Sequence, residues 1–470
     1  MNSRVNSIET HIAKFSEICG NNNVITKAEL MSTYLTDWRK RYTGSAIAIL
    51  FPENTKQIVA TIKYCQQEKI AITPQGGNTS TCGAATPLTN HTAPQIIINL
   101  ARMNRVIEID SENSSITVEA GCILQMVQEL AAEHNLYFPL TLASQGSCQI
   151  GGNLATNAGG TQVLKYGMMR DLTLGLEVVL ANGEIIKSNH KLRKNNTYLD
   201  LKQLFIGSEG TLGIITNATL KLFPAPVSYL TFMLPLDNLA LALNLLARLR
   251  QNYSNNVSAF EIIKDDSQKL YDQQFPDAKL PFTANWLLLA ELEINADFSL
   301  DNFTQLLESI DIHLDNVLIA SNDKQRKDLW LIREHIPLAE KAYGYAVKHD
   351  ISLPLGKIEE FLVTNMPKLK KIEGDGYFSI FGHLGDGNLH YNFGKKCATL
   401  AETESLEERI SEIVYQDVVN LSGSIAAEHG IGISKKKWFK KHLPAESLQL
   451  LQTIKNQLDP FNLFNPGKIF

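Results

Sequence analysis

Residues 381–393, Phe-Gly-His-Leu-Gly-Asp-Gly-Asn-Leu-His-Tyr-Asn-Phe, set His383 and His390 on either side of a glycine-rich turn. Three glycines in thirteen positions weaken a helix, so the segment reads as strand, tight loop, strand. On the second strand His390 and Asn392 stand two apart and share a face. Further on, IAAEHGIG carries Glu428 and His429 side by side. Two imidazoles and a carboxylate are a ligand set for a divalent metal that keeps open positions. Zinc suits that set where the metal itself changes no charge. The same histidines also read as hydrogen-bonded groups beside a turn, and residue types and spacing alone leave both readings open.

Cations that could hold an acidic substrate lie in LWLIREHIPLAEKAYGYAVKHDISLPLG, residues 329–356. Arg333 offers a two-pronged fork and Lys348 a point charge. Their ordinary fate would be a solvated face. Five lysines around Trp438 and Phe439 in KKKWFKKH, residues 435–442, read first as a solvated face, and otherwise as a dock for an acidic redox partner or a membrane surface.

Two glycine loops must serve something large. The first is Pro74-Gln75-Gly76-Gly77-Asn78-Thr79-Ser80. The second runs from Ser144 through Gly146, Ser147, Ile150, Gly151, Asn153, Thr156, Asn157 and Gly159 to Gly160. Both offer backbone N–H groups and hydroxyls without Cβ obstruction, which suits a pyrophosphate or a flat ring. Neither is a P-loop, and GIGISK at 430–435 lacks the third glycine of a dinucleotide motif.

The elements that would position these residues follow from periodicity. SAIAILF, a helical stretch after Pro52 and IAIT form a β-α-β unit leading into the first loop. IIINL, RVIEID and SITVEAG alternate like strands, and Asn182-Gly183 signals a hairpin. Pro224 and Pro226 mark a boundary. Beyond it SYLTFML, a helix at 238–250, SAFEII and WLLLAELEI give an antiparallel α+β pattern, followed by an amphipathic helix at 405–421.

The bulk numbers are those of a globular protein: 470 residues, 44% hydrophobic, 20% charged, net charge -5. That charge argues against a nucleic-acid binder. Six cysteines without a C-x-x-C pair are not a disulfide scaffold and fit a reducing compartment. The first twenty residues read as neither signal nor transit peptide, so the expected location is the cytoplasm, with peripheral attachment to a membrane allowed.

PQGGNTS, QGSCQIGGNLATNAGG, FIGSEGTLGIIT and NPGKIF resemble the flavoenzymes of the vanillyl-alcohol oxidase type. FGHLGDGNLHYNF and AAEHGIG narrow the resemblance to the FAD-linked D-2-hydroxy-acid dehydrogenases, above all those acting on D-2-hydroxyglutarate. It runs from about residue 37 to Phe470. The resemblance implies an FAD-binding domain at 1–226, an antiparallel-sheet α+β substrate domain at 227–404, and a helical segment at 405–470 completing the FAD and active sites. It implies non-covalent FAD, since Asn78 stands where some relatives attach flavin through histidine. The two loops would hold it, with Ile214 and Ile215 as backbone contacts and Asn465 from the tail. It makes His383, His390 and Glu428 ligands of a divalent metal, zinc first, and His429 the general base. Arg333, Lys348 and Asn392 would bind substrate. Pro337 stands where the 2-hydroxyglutarate enzymes have a threonine.

The implied reaction is oxidation of a D-2-hydroxy acid to the 2-oxo acid, with D-2-hydroxyglutarate ahead of D-lactate or glycolate. A non-catalytic flavin-binding subunit is the reading from another class. The sequence has no haem or iron–sulfur motif, so an external acceptor is expected, an electron-transfer flavoprotein or a quinone. No nucleic acid is expected as partner, and a homodimer is allowed.

Overall fold

The computed structural model describes residues 2–470, with side chains from Ser7 onward. It divides into two compact units. The first comprises 1–160, 167–225 and 428–470; the second comprises 161–166 and 226–427. The proline boundary at 224–226 is therefore where the first unit hands over. Of the C-terminal segment expected from 405, residues 405–427 group with the second unit and Glu428 onward with the first. The cause is the helix Leu400–Asn420, which buries Ile410, Val414, Tyr415 and Val418 rather than standing free.

In the first unit, a four-stranded sheet runs in the order Val24–Ile25, Ala48–Leu50, Gln95–Asn99, Ala71–Gln75, with its last three strands parallel. Helix Thr55–Glu68 makes the crossover, its start capped by Asn54 accepting the Gln57 N–H. The first glycine loop leaves the C-terminal end of strand 71–75, the end where open parallel sheets commonly bind ligands. The C-terminal tail locks beside that strand: Ile72 N–H donates to Leu463, and Asn465 N–H to Ile72, each at 2.8 Å. A five-stranded antiparallel sheet carries Thr173–Val179, Ile185–Lys187 and Ile214–Lys221. Its Asn182-Gly183 turn is the expected hairpin.

In the second unit, seven strands form one sheet: β1 (Ser228–Leu236), β2 (Val257–Lys264), β3 (Trp286–Ile294), β4 (Leu318–Ile319), β5 (Ala346–Ser352), β6 (Tyr377–His383) and β7 (Asn388–Gly394). Their order is β4-β1-β3-β2-β6-β7-β5, antiparallel throughout. One face packs under α1 (Asp265–Gln274) and α2 (Asp323–Tyr343) through Met233, Ile263, Leu287, Leu289, Tyr271, Leu329, Ile332, Ile336 and Phe381. The other lies under α3 (Ile358–Ile372) and α4 (Leu400–Asn420), where Tyr391 stacks edge-on against Phe361. Tyr391 also donates to Asn365 Oδ1 at 2.8 Å. Replacing Tyr391 by Phe should strand that buried acceptor and cost about 1–3 kcal/mol in a denaturant titration. An unchanged midpoint and slope would contradict this packing.

Candidate active site

Strand register decides which side chains share a face, because successive residues alternate. His390 lies opposite Phe381 on β6 and opposite Asp350 on β5. Asn392 lies opposite Ser379 and Lys348. His383 lies opposite Glu261 on β2. All of these residues fall on the α2 face. The β6–β7 turn is tight because Gly387 sits at φ 84, and a Cβ there would meet Leu353 O at 2.2 Å. The segment that reads as strand, loop, strand in sequence is built that way, and it brings the two histidine rings to a centroid distance of 5.7 Å.

The chain after α4 returns along β5. Ser424 bridges to Ser352, and Ala427 N–H donates to Asp350 O at 3.3 Å. Glu428 is the next residue in the chain, the first to belong to the other unit. His383 and His390 each offer a ring nitrogen, and these atoms lie within 4.8 Å of one another. His383 Nδ1 is 2.6 Å from Glu261 Oε1, so the nitrogen it would offer a metal is Nε2. Two imidazoles on one face, with one ring nitrogen already oriented, are donors that fit a divalent cation.

Three buried carboxylates stand beside these residues, and the sequence motifs point to none of them. Glu261 takes His383 on one oxygen and Arg333 Nε on the other at 2.8 Å. Arg333 also lies over the Phe381 ring at 4.6 Å. Glu340 pairs with Lys348 at 2.6 Å and accepts from Asn392 Nδ2 at 2.6 Å. Asp350 accepts from Asn388 Nδ2 at 2.9 Å and stands 4.0 Å from His390 Nδ1. Burial alone would push Glu261 up, but His383 and Arg333 outweigh it and hold the carboxyl below its ordinary value. Glu340 had a legible signal: it follows Arg333 by seven residues, two turns along one face of α2. Pro337 lies on the same stripe and has no N–H for the Arg333 carbonyl.

In the first unit the two glycine loops touch. A Cβ on Gly77 would meet Ser147 O at 2.0 Å, whereas one on Gly152 would meet nothing within 4 Å. Asn78 Oδ1 and Gln149 Oε1 are buried acceptors without a partner. Ile150, Gly151 and Asn153 open a short helix, and Ile214 and Ile215 begin a strand. Several side chains expected at the cofactor are engaged within the protein. Gln75 Nε2 donates to Tyr34 and Ala85, each at 2.9 Å. Asn465 Nδ2 donates to Ala84 at 3.1 Å and to Glu209 O at 2.7 Å. Asn157 Oδ1 accepts from Arg170 N–H, and Thr156 Oγ1 donates to Gly152 O. The loops thus expose backbone and orphaned acceptors, a cradle that fits FAD.

The GIGISK turn makes an anion nest that the protein fills itself. Glu209 accepts from Ile431 N–H at 2.7 Å and Gly432 N–H at 2.8 Å. Cys82 Sγ donates to the His429 carbonyl at 3.1 Å. The segment carrying Glu428 and His429 is therefore gripped from both sides by residues of the FAD-loop region. Burial pushes Glu209 above its ordinary value, while those two N–H groups, Lys435 and Lys468 draw it back.

Residues 46–189 match the model of an FAD binding domain, and residues 226–469 match that of the C-terminal domain of FAD linked oxidases. The D-2-hydroxyglutarate dehydrogenase, mitochondrial, of Bos taurus is 35% identical over 95% of this chain and 81% of its own. The D-2-hydroxyglutarate–pyruvate transhydrogenase of Saccharomyces cerevisiae is 32% identical over 97% of this chain and 93% of its own. Among solved structures, p-cresol methylhydroxylase with substrate bound shares the fold at a TM-score of 0.73, with 18% identity over 98% of this chain and 96% of that one. The chain belongs to the FAD linked oxidases. It is an FAD-linked dehydrogenase that oxidises a D-2-hydroxy acid.

Lys468 beneath the self-filled nest is buried and donates to Asn465 Oδ1 at 2.6 Å. Burial draws its ammonium down to about 7 from an ordinary 10.5. Between those values the unfolded chain holds a proton that the folded chain lacks, so stability rises with pH across the window. Thermal melts from about pH 7 to about pH 10 should show that rise in the wild type and a flatter profile in Lys468→Met. Equal slopes would contradict a buried, largely neutral Lys468.

Proposed function

We propose that the protein oxidises D-2-hydroxyglutarate to 2-oxoglutarate with the help of a divalent metal, zinc first among candidates. The carrying observation is the α2 face of the second-unit sheet, which combines His383 and His390 with Arg333 and Lys348, and Glu428 is the carboxylate proposed to complete the metal set. Two cations beside a metal set suit a substrate with two carboxylates. The relatives' printed names support the same substrate.

In this reading Arg333 takes one carboxylate through its terminal nitrogens, since its Nε is held by Glu261. Lys348 takes the other, sharing its charge with Glu340. Asn392, fixed by Glu340, orients the substrate near His390. His429 accepts the hydroxyl proton. A bound metal would polarise that hydroxyl and lower its pKa. FAD held by the two glycine loops supplies the acceptor for the C2 hydride. An external acceptor, an electron-transfer flavoprotein or a quinone, then takes the electrons. All six cysteines are free, which supports a reducing compartment such as the cytoplasm. Among the described residues no helix is long and apolar enough to cross a membrane.

Pro337 favours a second reading, D-lactate or glycolate, because an apolar ring replaces a hydroxyl one turn from Arg333. Anaerobic mixing with a panel of D- and L-2-hydroxy acids separates the two. D-2-hydroxyglutarate should bleach the flavin band and chelation should abolish bleaching. Bleaching by lactate or glycolate alone would overturn the dicarboxylate assignment, and bleaching that survives verified metal removal would overturn the metal. Arg333→Met and Lys348→Met should each raise KM for D-2-hydroxyglutarate about 10–100-fold, the worth of a charged hydrogen bond. His429→Ala should lower kcat about 10²–10⁴-fold at pH 7. An unchanged kcat would remove His429 from the role of base.

A further inference from the structure

We propose that Glu261 is a positioning residue shared by the two halves of the reaction site. One of its oxygens sets the His383 ring for a metal, and the other sets the Arg333 guanidinium for the substrate carboxylate. The inference rests on the reading of His383 as a metal ligand.

Glu261 is on β2, fully buried, with no route for solvent to satisfy its charge. His383 Nδ1 stands 2.6 Å from Oε1, and Arg333 Nε donates to Oε2 at 2.8 Å. A carboxylate on Nδ1 fixes the tautomer that presents Nε2, and it fixes the ring plane as well. A carboxylate on Nε turns the terminal nitrogens of the guanidinium away from itself, the edge suited to a second carboxylate. Phe381 completes the arrangement. Its ring lies 4.6 Å from the Arg333 guanidinium carbon and 4.9 Å from the His390 ring centroid. Because one planar group holds both partners, displacing either moves the other.

The other two buried carboxylates do not have this reach. Glu340 holds Lys348 and Asn392, neither of them a metal donor. Asp350 stands 4.0 Å from His390, longer than a hydrogen bond. Glu261 is hydrogen-bonded to both a proposed metal donor and a proposed substrate cation.

The test uses the flavin-loaded protein without turnover. Zinc affinity is measured by competition with a chromogenic chelator. Binding of 2-oxoglutarate, a non-reducing probe, is measured from the flavin difference spectrum. Wild type, Glu261→Gln, Glu261→Asp, Arg333→Met and the double variant Glu261→Gln/Arg333→Met are compared, with flavin content and thermal unfolding as folding controls. Glu261→Gln should weaken zinc about 10–100-fold. Its loss of 2-oxoglutarate binding should be non-additive with Arg333→Met, since one group acts through the other. Zinc affinity unchanged in a folded Glu261→Gln, or strict additivity, would overturn the proposal. Where Glu261→Gln does not fold, Glu261→Asp decides the matter, because it keeps the charge but withdraws the oxygens by one methylene. Wild-type protein that holds no zinc would overturn the metal reading itself, and this inference with it. Zinc held alike by wild type and variant would overturn the inference alone.

Discussion

A carboxylate taken out of water must be paired or it will not stay ionised. Much of the candidate site follows from that constraint applied at the three carboxylates beside the site residues. Glu261, Glu340 and Asp350 are all buried there. Two of them are matched by hydrogen bonds and ion pairs to the residues that could meet substrate or metal: His383, Arg333, Lys348 and Asn392. Long cationic side chains normally lose much rotamer freedom when they bind. Here Arg333 and Lys348 have already surrendered part of that freedom to the fold. The sheet supplies rigid spacing, and the carboxylates supply direction.

The first unit uses the same device differently. A nest of backbone N–H groups at a glycine turn ordinarily invites an external anion. At residues 430–432 the anion is Glu209, a residue of FIGSEGTLG. The motif that closes one cofactor strand therefore also anchors the segment carrying Glu428 and His429. Asn465 joins the arrangement by donating to Ala84 and to Glu209, which ties the chain's tail to the segment after the first glycine loop and to FIGSEGTLG. Motifs scattered over the chain are thus parts of one scaffold.

Much of this was legible in the sequence where the signal was periodic or carried by glycine. WLLLAELEI is β3 residue for residue, and the His383–His390 hairpin follows from its glycines. The histidine and carboxylate donors stood out because their types are chemically distinctive. The supporting carboxylates did not. Glu261 lies in SAFEII, where both faces of the strand are buried and alternation carries no warning. Asp350 is hidden for another reason: Lys348 and Ser352, which share its face of β5, are exposed and half-buried, so alternation reads that face as solvated. Where the helix after 400 belongs is not legible, because an amphipathic pattern shows that a helix packs, but not against which sheet. The roles of Gln75 and Asn465 were also beyond reach: a motif residue can hold its loop in shape as readily as it can touch a ligand.

The central claim is that one sheet face presents two oriented imidazoles to a single divalent ion. X-ray absorption at the zinc edge, on protein loaded with one equivalent of zinc and free of substrate, tests it most directly. The account predicts two imidazole nitrogens at about 2.0–2.1 Å with the remaining neighbours oxygen, and loss of one imidazole in His390→Ala. A first shell containing sulfur, or one whose imidazole count does not change in His390→Ala, would contradict it.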